Sequence, residues 1–487
     1  MPILSVDNIS LHFGERRLLD GVSFMVNEGD KIAFIGNNGA GKSTLFKIIK
    51  GTMSPDDGKV IRHGNTIVGF LSQNMDEQDL SGSTLKPQKL IDVEERKTVL
   101  EYEIAAAGED EGRLKTLMDE YSKVTAEYEA MGGYDYDHRM ADALAGLGLT
   151  GLEDRTDLTT LSGGEKMRVC LAQLIVAHPD ILMLDEPTNH LDIEAIEWLE
   201  DYLKNKKVSL LLVSHDRKFL DNVTNRTVEI MLGHVHDYKV PYSQYVELRK
   251  ERISQQTAAY ENQQRMIEKT EDFINRFRYK PTKSNQVQSR IKALEKIERI
   301  EIDETDVKTM HLKFPPAPRS GDVVYKASDI TVGYPQKVVF RNADIEIKRG
   351  EKVAFIGRNG EGKTTLMRVI MGELDPFSGE SKVGHNVDIG YFAQNQEDVL
   401  DRNDTVFGTL DRIAVGDIRT KLRDILGAFL FKGEDIDKKV SVLSGGERAR
   451  LGMAKLMLQS HNLLALDEPT NHMDIQSKDI LKAALKS

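Results

Sequence analysis

The segment GNNGAGKST, residues 36–44, sets Gly36, Gly39 and Gly41 around Asn37, Asn38 and Ala40 and follows them with Lys42, Ser43 and Thr44. Glycines at this spacing let backbone N–H groups converge on phosphate oxygens, the lysine neutralises charge, and the hydroxyl after it can hold Mg²⁺. The same types recur in GRNGEGKTT, residues 357–365, where Gly357, Gly360 and Gly362 surround Arg358, Asn359 and Glu361, and Lys363, Thr364 and Thr365 follow. Lys42 and Lys363 stand 321 residues apart. In both copies an alternating apolar run, KIAFI or KVAFI, leads into the glycines, so the expectation is strand, phosphate loop and helix, twice over.

Two further repeats add acids and a helix start. ILMLDEPTNHLD (181–192) and LLALDEPTNHMD (463–474) each read as an apolar strand ending in carboxylates. Asp185 and Asp467 suit a direct or water-mediated hold on Mg²⁺, and Glu186 and Glu468 are placed to orient and deprotonate a water for in-line attack on a γ-phosphate. An isolated acid pair after a strand also reads as a helix cap; a phosphate loop in each half favours hydrolysis. TLSGGEKMR (160–168) and VLSGGERAR (442–450) complete the set. With LSGGE as its signature, the chain resembles the ATP-binding-cassette family over nearly its whole length.

That resemblance implies ATP with Mg²⁺ as ligands and two composite sites. One would use Lys42, Gln73, Asp185 and Glu186 with Ser444, Gly445 and Gly446 of the other half. The second would use Lys363, Gln394, Asp467 and Glu468 with Ser162, Gly163 and Gly164, each signature facing the opposite nucleotide because a helix N-terminus favours an anion. Phe13 and Tyr334, and Gln73 and Gln394, keep the same 321-residue offset, from an aromatic that could stack on adenine to a glutamine that could sense Mg²⁺ and water. His215, ending VSLLLVSHD, matches the family's γ-phosphate histidine. Ser162 and Ser444 stand only 282 residues apart, which leaves 39 extra residues in the first half and puts a counterpart of His215 past Ser487. The expectation is an incomplete second half that lacks its histidine and the strand delivering it.

Around these residues the chain must supply at least two cores, since 487 residues exceed what one core holds. Forty per cent hydrophobic and thirty per cent charged residues suit a soluble globular protein, and no apolar run approaches the roughly 20 residues of a membrane span. The N-terminus lacks a signal peptide's pattern, so a cytoplasmic protein without a membrane partner is expected. The single cysteine, Cys170, excludes an internal disulfide and reads as a small buried apolar residue.

The extra stretch, about residues 95–140, carries Leu114, Leu117, Met118, Tyr121, Val124, Tyr128 and Met131 on one helical face, stopped at Gly132–Gly133. It reads as a protruding arm or as a helix folded back on its own cassette. Between the halves, Ile253, Tyr260, Ile267 and Ile274 recur every seven residues, Pro281 breaks the pattern, and Val287, Ile291 and Leu294 resume it. This suits a helical hairpin. Arg276, Arg278, Lys280, Lys283, Arg290 and Lys292 crowd its turn in a chain of net charge -12. A charge run can be a solvated face; here, interleaved with Phe277 and Tyr279, it suits RNA phosphates and exposed bases.

The fold expected is therefore α/β: two tandem P-loop ATP-binding-cassette domains (1–243 and 319–487, the second ending before its histidine loop) joined by a helical linker (244–318). Paired cassettes, the EPTNHLD wording and the basic linker resemble the ABC-F family of translation-associated ATPases. The resemblance implies a monomer with its cassettes paired intramolecularly, binding the ribosome at the tRNA exit site, with the linker near tRNA and rRNA and the arm on large-subunit proteins. A membrane transporter's ATPase subunit and a DNA-handling ATPase are the alternatives.

Overall fold

A computed structural model of the chain describes residues 2–14, 16–37, 39–72, 85–107, 111–152, 161–189, 191–277, 283–297, 314–335, 337–393, 400–414, 416–431, 433–470 and 473–486. Strands β1 (Pro2–Phe13), β2 (Arg16–Asn27), β3 (Lys31–Ile35), β4 (Asp57–Arg62), β5 (Val68–Leu71), β6 (Ile181–Asp185), β7 (Ser209–Val213), β8 (Arg226–Met231) and β9 (His234–Tyr238) build the first cassette as two sheets. One is antiparallel, in the order β2-β1-β4; the other runs β5-β6-β7-β3-β8-β9 and is parallel except for its last pair. Strands β6 and β7, ILMLD and SLLLV, are buried throughout, as a parallel sheet covered on both faces demands. Strand β3 lies at the centre, between β7 and β8.

Helices α1 (Lys42–Lys50), α2 (Gln88–Ala106), α3 (Glu111–Ala130), α4 (Gly133–Gly146), α5 (Gly163–Val176), α6 (Ile193–Asn205) and α7 (Arg217–Val223) surround these sheets or extend from them. The arm is a pair of helices. Tyr121 donates to Glu101 at 2.9 Å and Arg96 to Glu120 at 2.6 Å across α2 and α3. Leu90, Tyr128 and Tyr136 bury the base of the pair in the first cassette's core, while Met118, expected on the packed face, is exposed. Cys170 is buried in that core, and burial pushes its thiol up to about 11, so the sulfur acts as a hydrophobe.

The linker forms the expected hairpin. Helix α8 (Tyr242–Phe277) and helix α9 (Ser284–Glu295) close over Ile267, Ile274 and Val287, all buried. At 36 residues α8 is about 54 Å long. Its base is pinned to the first cassette: the buried Glu229 carboxylate on β8 accepts from Tyr245 Oη at 2.9 Å, Arg249 Nε at 2.6 Å and Arg252 Nη2 at 2.8 Å.

The second cassette repeats the antiparallel sheet with β10 (Val323–Tyr334), β11 (Lys337–Lys348) and β12 (Ser378–Val383), in the order β11-β10-β12. A parallel pair follows, β13 (Ile389–Phe392) with β14 (Leu463–Leu466). Its helices are α10 (Lys363–Met371), α11 (Val406–Asp411), α12 (Asp417–Thr420), α13 (Leu422–Ala428), α14 (Gly445–Met457) and α15 (Ile475–Lys486).

Here one expectation fails. KVAFI, residues 352–356, forms no strand although KIAFI forms β3. Strand β3 is held by β7 and β8, and at the 282-residue offset their counterparts fall beyond residue 487. With no flanking strands among the described residues, Val353 is 50% exposed where its equivalent Ile32 is fully buried, and Ile356 is 80% exposed. Alternation of apolar residues describes a surface that fits a sheet; it does not supply the neighbours.

Candidate active site

Strand β3 ends at Ile35 and the phosphate loop turns from there into α1. A Cβ at Gly36 would lie 2.5 Å from the Ile230 carbonyl oxygen on β8, so only glycine lets the loop pass. Gly41 caps α1 at φ 96°, a left-handed conformation. Lys42 Nζ donates to the carbonyls of Gly36 at 2.7 Å and Asn37 at 3.1 Å, which closes the loop around the ammonium. Ser43 and Thr44 open the helix beside it. Burial lowers the Lys42 pKa, while the carboxylates of Glu186, Asp185 and Asp474 oppose that shift.

Asp185 ends β6, and Glu186 follows at φ 55°, a strained conformation for a residue with a side chain. The strain is held by the Glu186 N–H, which donates to Val213 O at 2.9 Å. It places the carboxylate against His215, whose N–H donates to Glu186 Oε2 at 3.2 Å and whose Nε2 lies 3.5 Å from Oε1. Burial, with Asp185 beside it, pushes Glu186 up to about 8, the range of a general base working near neutrality. Burial and the cations Lys42, Lys478 and Arg450 push His215 down to about 3, so its imidazole is neutral.

The second phosphate loop keeps part of this geometry. Gly362 caps α10 at φ 98°, and Lys363 Nζ donates to Gly357 O at 2.7 Å and Arg358 O at 2.8 Å, with Thr364 and Thr365 following. Glu468 repeats the strained backbone at φ 46°, and the Asp467 N–H donates to Phe392 O at 2.9 Å. Ala40 is replaced here by Glu361, whose Oε2 accepts the Arg358 N–H at 3.0 Å, within the loop that should cradle an anion.

Oxygen donors at both loops suit Mg²⁺. Ser43 and Thr364 each present a hydroxyl after the loop lysine, and buried Asp467 Oδ2 has no hydrogen-bond partner among the described residues. A hydroxyl and one carboxylate per site fit an ion that keeps waters and phosphate oxygens in its shell.

Ser162 and Ser444 each cap a signature helix, α5 and α14, and each shares a capping box with Glu165 or Glu447, leaving Gly163–Gly164 and Gly445–Gly446 in the first turn. Phe13 and Tyr334 end β1 and β10 with exposed rings, and Tyr334 Oη accepts from Arg368 Nη1 at 3.3 Å. Gln73, Gln394 and Asn38, and Arg278 and Lys280 of the linker tip, lie outside the described residues. At the tip, Lys283 Nζ lies 5.2 Å from the Phe277 ring centre and the Arg290 guanidinium 4.0 Å from that of Phe273, while Arg276 and Lys292 are exposed. Phe277 packs on Phe273, their ring centres 4.7 Å apart, so the ring expected to meet bases is partly occupied within the hairpin.

Sequence reasoning missed the residues that cross between cassettes. Asp192 Oδ2 accepts from the Asn359 N–H at 3.3 Å, and Glu194 pairs with Arg358 at 2.8 Å. Reciprocally, Asp474 lies near Lys42, Lys478 Nζ donates to His215 O at 3.4 Å, and Arg217 meets Asp479 at 2.5 Å. Both crossing segments follow the DEPTNH runs, and their repeated aspartates were the available signal. Lys478 had none, because Ile196 stands at its equivalent position.

A family profile described as ABC transporter matches residues 19–189 and 340–471, and a second profile of the same description matches 228–314. The putative ATP-binding protein YdiF of Bacillus subtilis is 38% identical over all of this chain and 76% of its own length. ABC transporter F family member 5 of Arabidopsis thaliana is 37% identical over 99% of this chain and 71% of its own. Among solved structures, RNase-L Inhibitor matches 98% of this chain and 82% of its own at TM-score 0.57 and 18% identity, a likeness of fold. Among the described residues no helix is long and apolar enough to cross a membrane.

Proposed function

We propose, because this chain belongs to the ABC-F family of ATP-binding-cassette ATPases, that ATP acts as a removable clamp between its cassettes and that clamping aims the basic hairpin at structured ribosomal RNA. The observation carrying this reading is the reciprocal crossing of the Asp192 and Asp474 segments to the opposite phosphate loops. A nucleotide on Lys42 or Lys363 would therefore sit at the joint, and the signature turns at Ser444–Gly446 and Ser162–Gly164 would close over it. Binding energy spent at the joint shifts the population toward the paired state.

Lys42 neutralises the phosphates as it exchanges loop carbonyls for them. Glu186 takes the proton of the attacking water, and neutral His215 positions that carboxylate and faces the γ-phosphate. Ser43 with Asp185, and Thr364 with Asp467, would hold Mg²⁺, which would supply charge stabilisation when bound. Gln73 and Gln394 would monitor it, and Phe13 and Tyr334 would receive the adenine.

Because Glu229 ties α8 to the strand whose Ile230 carbonyl abuts Gly36, the hairpin follows the first cassette as that cassette moves. Arg276, Lys283, Arg290 and Lys292, with Arg278 and Lys280, would then meet phosphates at the tRNA exit site, and the α2–α3 arm would touch the large subunit. A ribosome-bound assembly of archaeal Pelota and ABCE1, TM-score 0.52 at 17% identity, shares the tandem-cassette fold. The test is co-sedimentation with ribosomes. The doubly substituted Glu186→Gln, Glu468→Gln protein in ATP should pellet with ribosomes at several times the parent's level, and duplex DNA should not compete; equal pelleting would sink the clamp.

A further inference from the structure

We infer that Lys478, a residue of the second cassette, is a positioning residue for hydrolysis in the first. The inference rests on the reading of Glu186 and His215 as the hydrolytic pair of the site built on Lys42.

The second cassette delivers Lys478 on a rigid support. Asp474 caps the start of α15 by accepting the Ser477 N–H at 2.8 Å, and Ser477 is fully buried. Ile475, at the first position of that helix, packs against the core of the first cassette. One turn further on, Asp479 pairs with Arg217 of the first cassette. Lys478 is held between these two anchors, and its Nζ reaches the carbonyl oxygen of His215 at 3.4 Å. The same residue, His215, uses its N–H to hold Glu186 Oε2. The ammonium thus grips, from across the joint, the backbone unit that aims the carboxylate.

Charge supports the placement. The carboxyl groups of Glu186, Asp185, Asp216 and Asp474 face this region, and Lys42 and Arg450 are the other cations near His215. Once Lys42 engages phosphate, Lys478 and Arg450 remain as the cations beside His215, with Lys478 Nζ on its carbonyl oxygen. The joint is asymmetric at this point: Ile196 of the first cassette occupies the equivalent position, so it offers no ammonium to the site built on Lys363. Hydrolysis in the first cassette is thereby tied to docking of the second, through one side chain that the second site lacks.

The experiment uses the full chain carrying Glu468→Gln, so that turnover reports the first site. In this background Lys478→Gln should lower kcat about tenfold, with KM for ATP changed less than about twofold. Lys478→Arg should restore kcat to within about threefold of the parent, because a cation again reaches the His215 carbonyl. Lys482→Gln, which removes an exposed lysine further along the same helix, should leave kcat within about twofold. Matched melting temperatures exclude unfolding as the cause. The inference is overturned if Lys478→Gln leaves kcat unaltered, if Lys478→Arg is as impaired as Lys478→Gln, or if the loss lies wholly in KM. If instead Glu186→Gln in the same background still turns over at the parent's rate, the hydrolytic reading of Glu186 fails, independently of Lys478.

Discussion

The two phosphate loops are near copies in sequence and differ in what frames them. KIAFI becomes the central strand of a six-stranded sheet, flanked by β7 and β8. KVAFI, with the same alternation, stays irregular and partly exposed, and among the described residues no strand pairs with it on either side. The loops beyond still form, each with a left-handed glycine cap and a lysine gripping its own carbonyls. A phosphate loop is thus a local structure set by glycine and one short helix, whereas the strand feeding it is a property of the sheet.

The largest effect that could sharpen this contrast lies on the framing strand β8. Glu229→Ala would leave Arg249 and Arg252 facing a vacated buried site, at a cost of about 3–5 kcal/mol, read as a lowered denaturation midpoint and a hairpin freed for proteolysis near its base. A loss below about 1 kcal/mol would show that the linker is not anchored there. Next comes the paired strand comparison. Ile32→Ala should cost about 2–5 kcal/mol, while Val353→Ala, at the equivalent exposed position, should stay within about 0.5 kcal/mol. Equal costs in chemical denaturation would break the comparison by showing that KVAFI is packed.

The smallest effect is a pH dependence confined to the first site. His215 is held neutral, with its folded pKa near 3 against an ordinary 6.5. The unfolded chain therefore binds a proton that the folded site refuses, and stability present in full above pH 6.5 is lost as pH falls toward 3. His215→Gln should flatten this fall by on the order of 1 kcal/mol per pH unit, measured as the difference in melting between the two proteins at pH 5 and pH 7.5. Parallel melting curves across that range would remove the histidine from the account.

Much of the site could be read from residue order. The repeated glycines, lysines, LSGGE helices and DEP acids recur where the structure places a phosphate loop, a capped helix and a strand end. The heptad spacing of Ile253, Tyr260, Ile267 and Ile274 also gave the hairpin seam, since a periodic apolar face must find a partner along its length. The crossing contacts were hidden. Asp192 and Asp474 cap helices, and their reach to the opposite loop depends on how the cassettes pair. The left-handed backbone of Glu186 and Glu468 was equally silent, because the Val213 carbonyl that accepts the Glu186 N–H lies on a neighbouring strand.

Sequence by itself determined the elements whose cause is local: glycine-permitted loops, capped helices, apolar runs and a periodic seam, all set within a few turns of chain. Tertiary structure alone decided which of two like runs became a strand, which strand carried the hairpin, and which cation from one cassette reached the histidine of the other. Hydrogen bonds between strands and charges meeting across a joint join residues hundreds of positions apart, so no short stretch of residues specifies them.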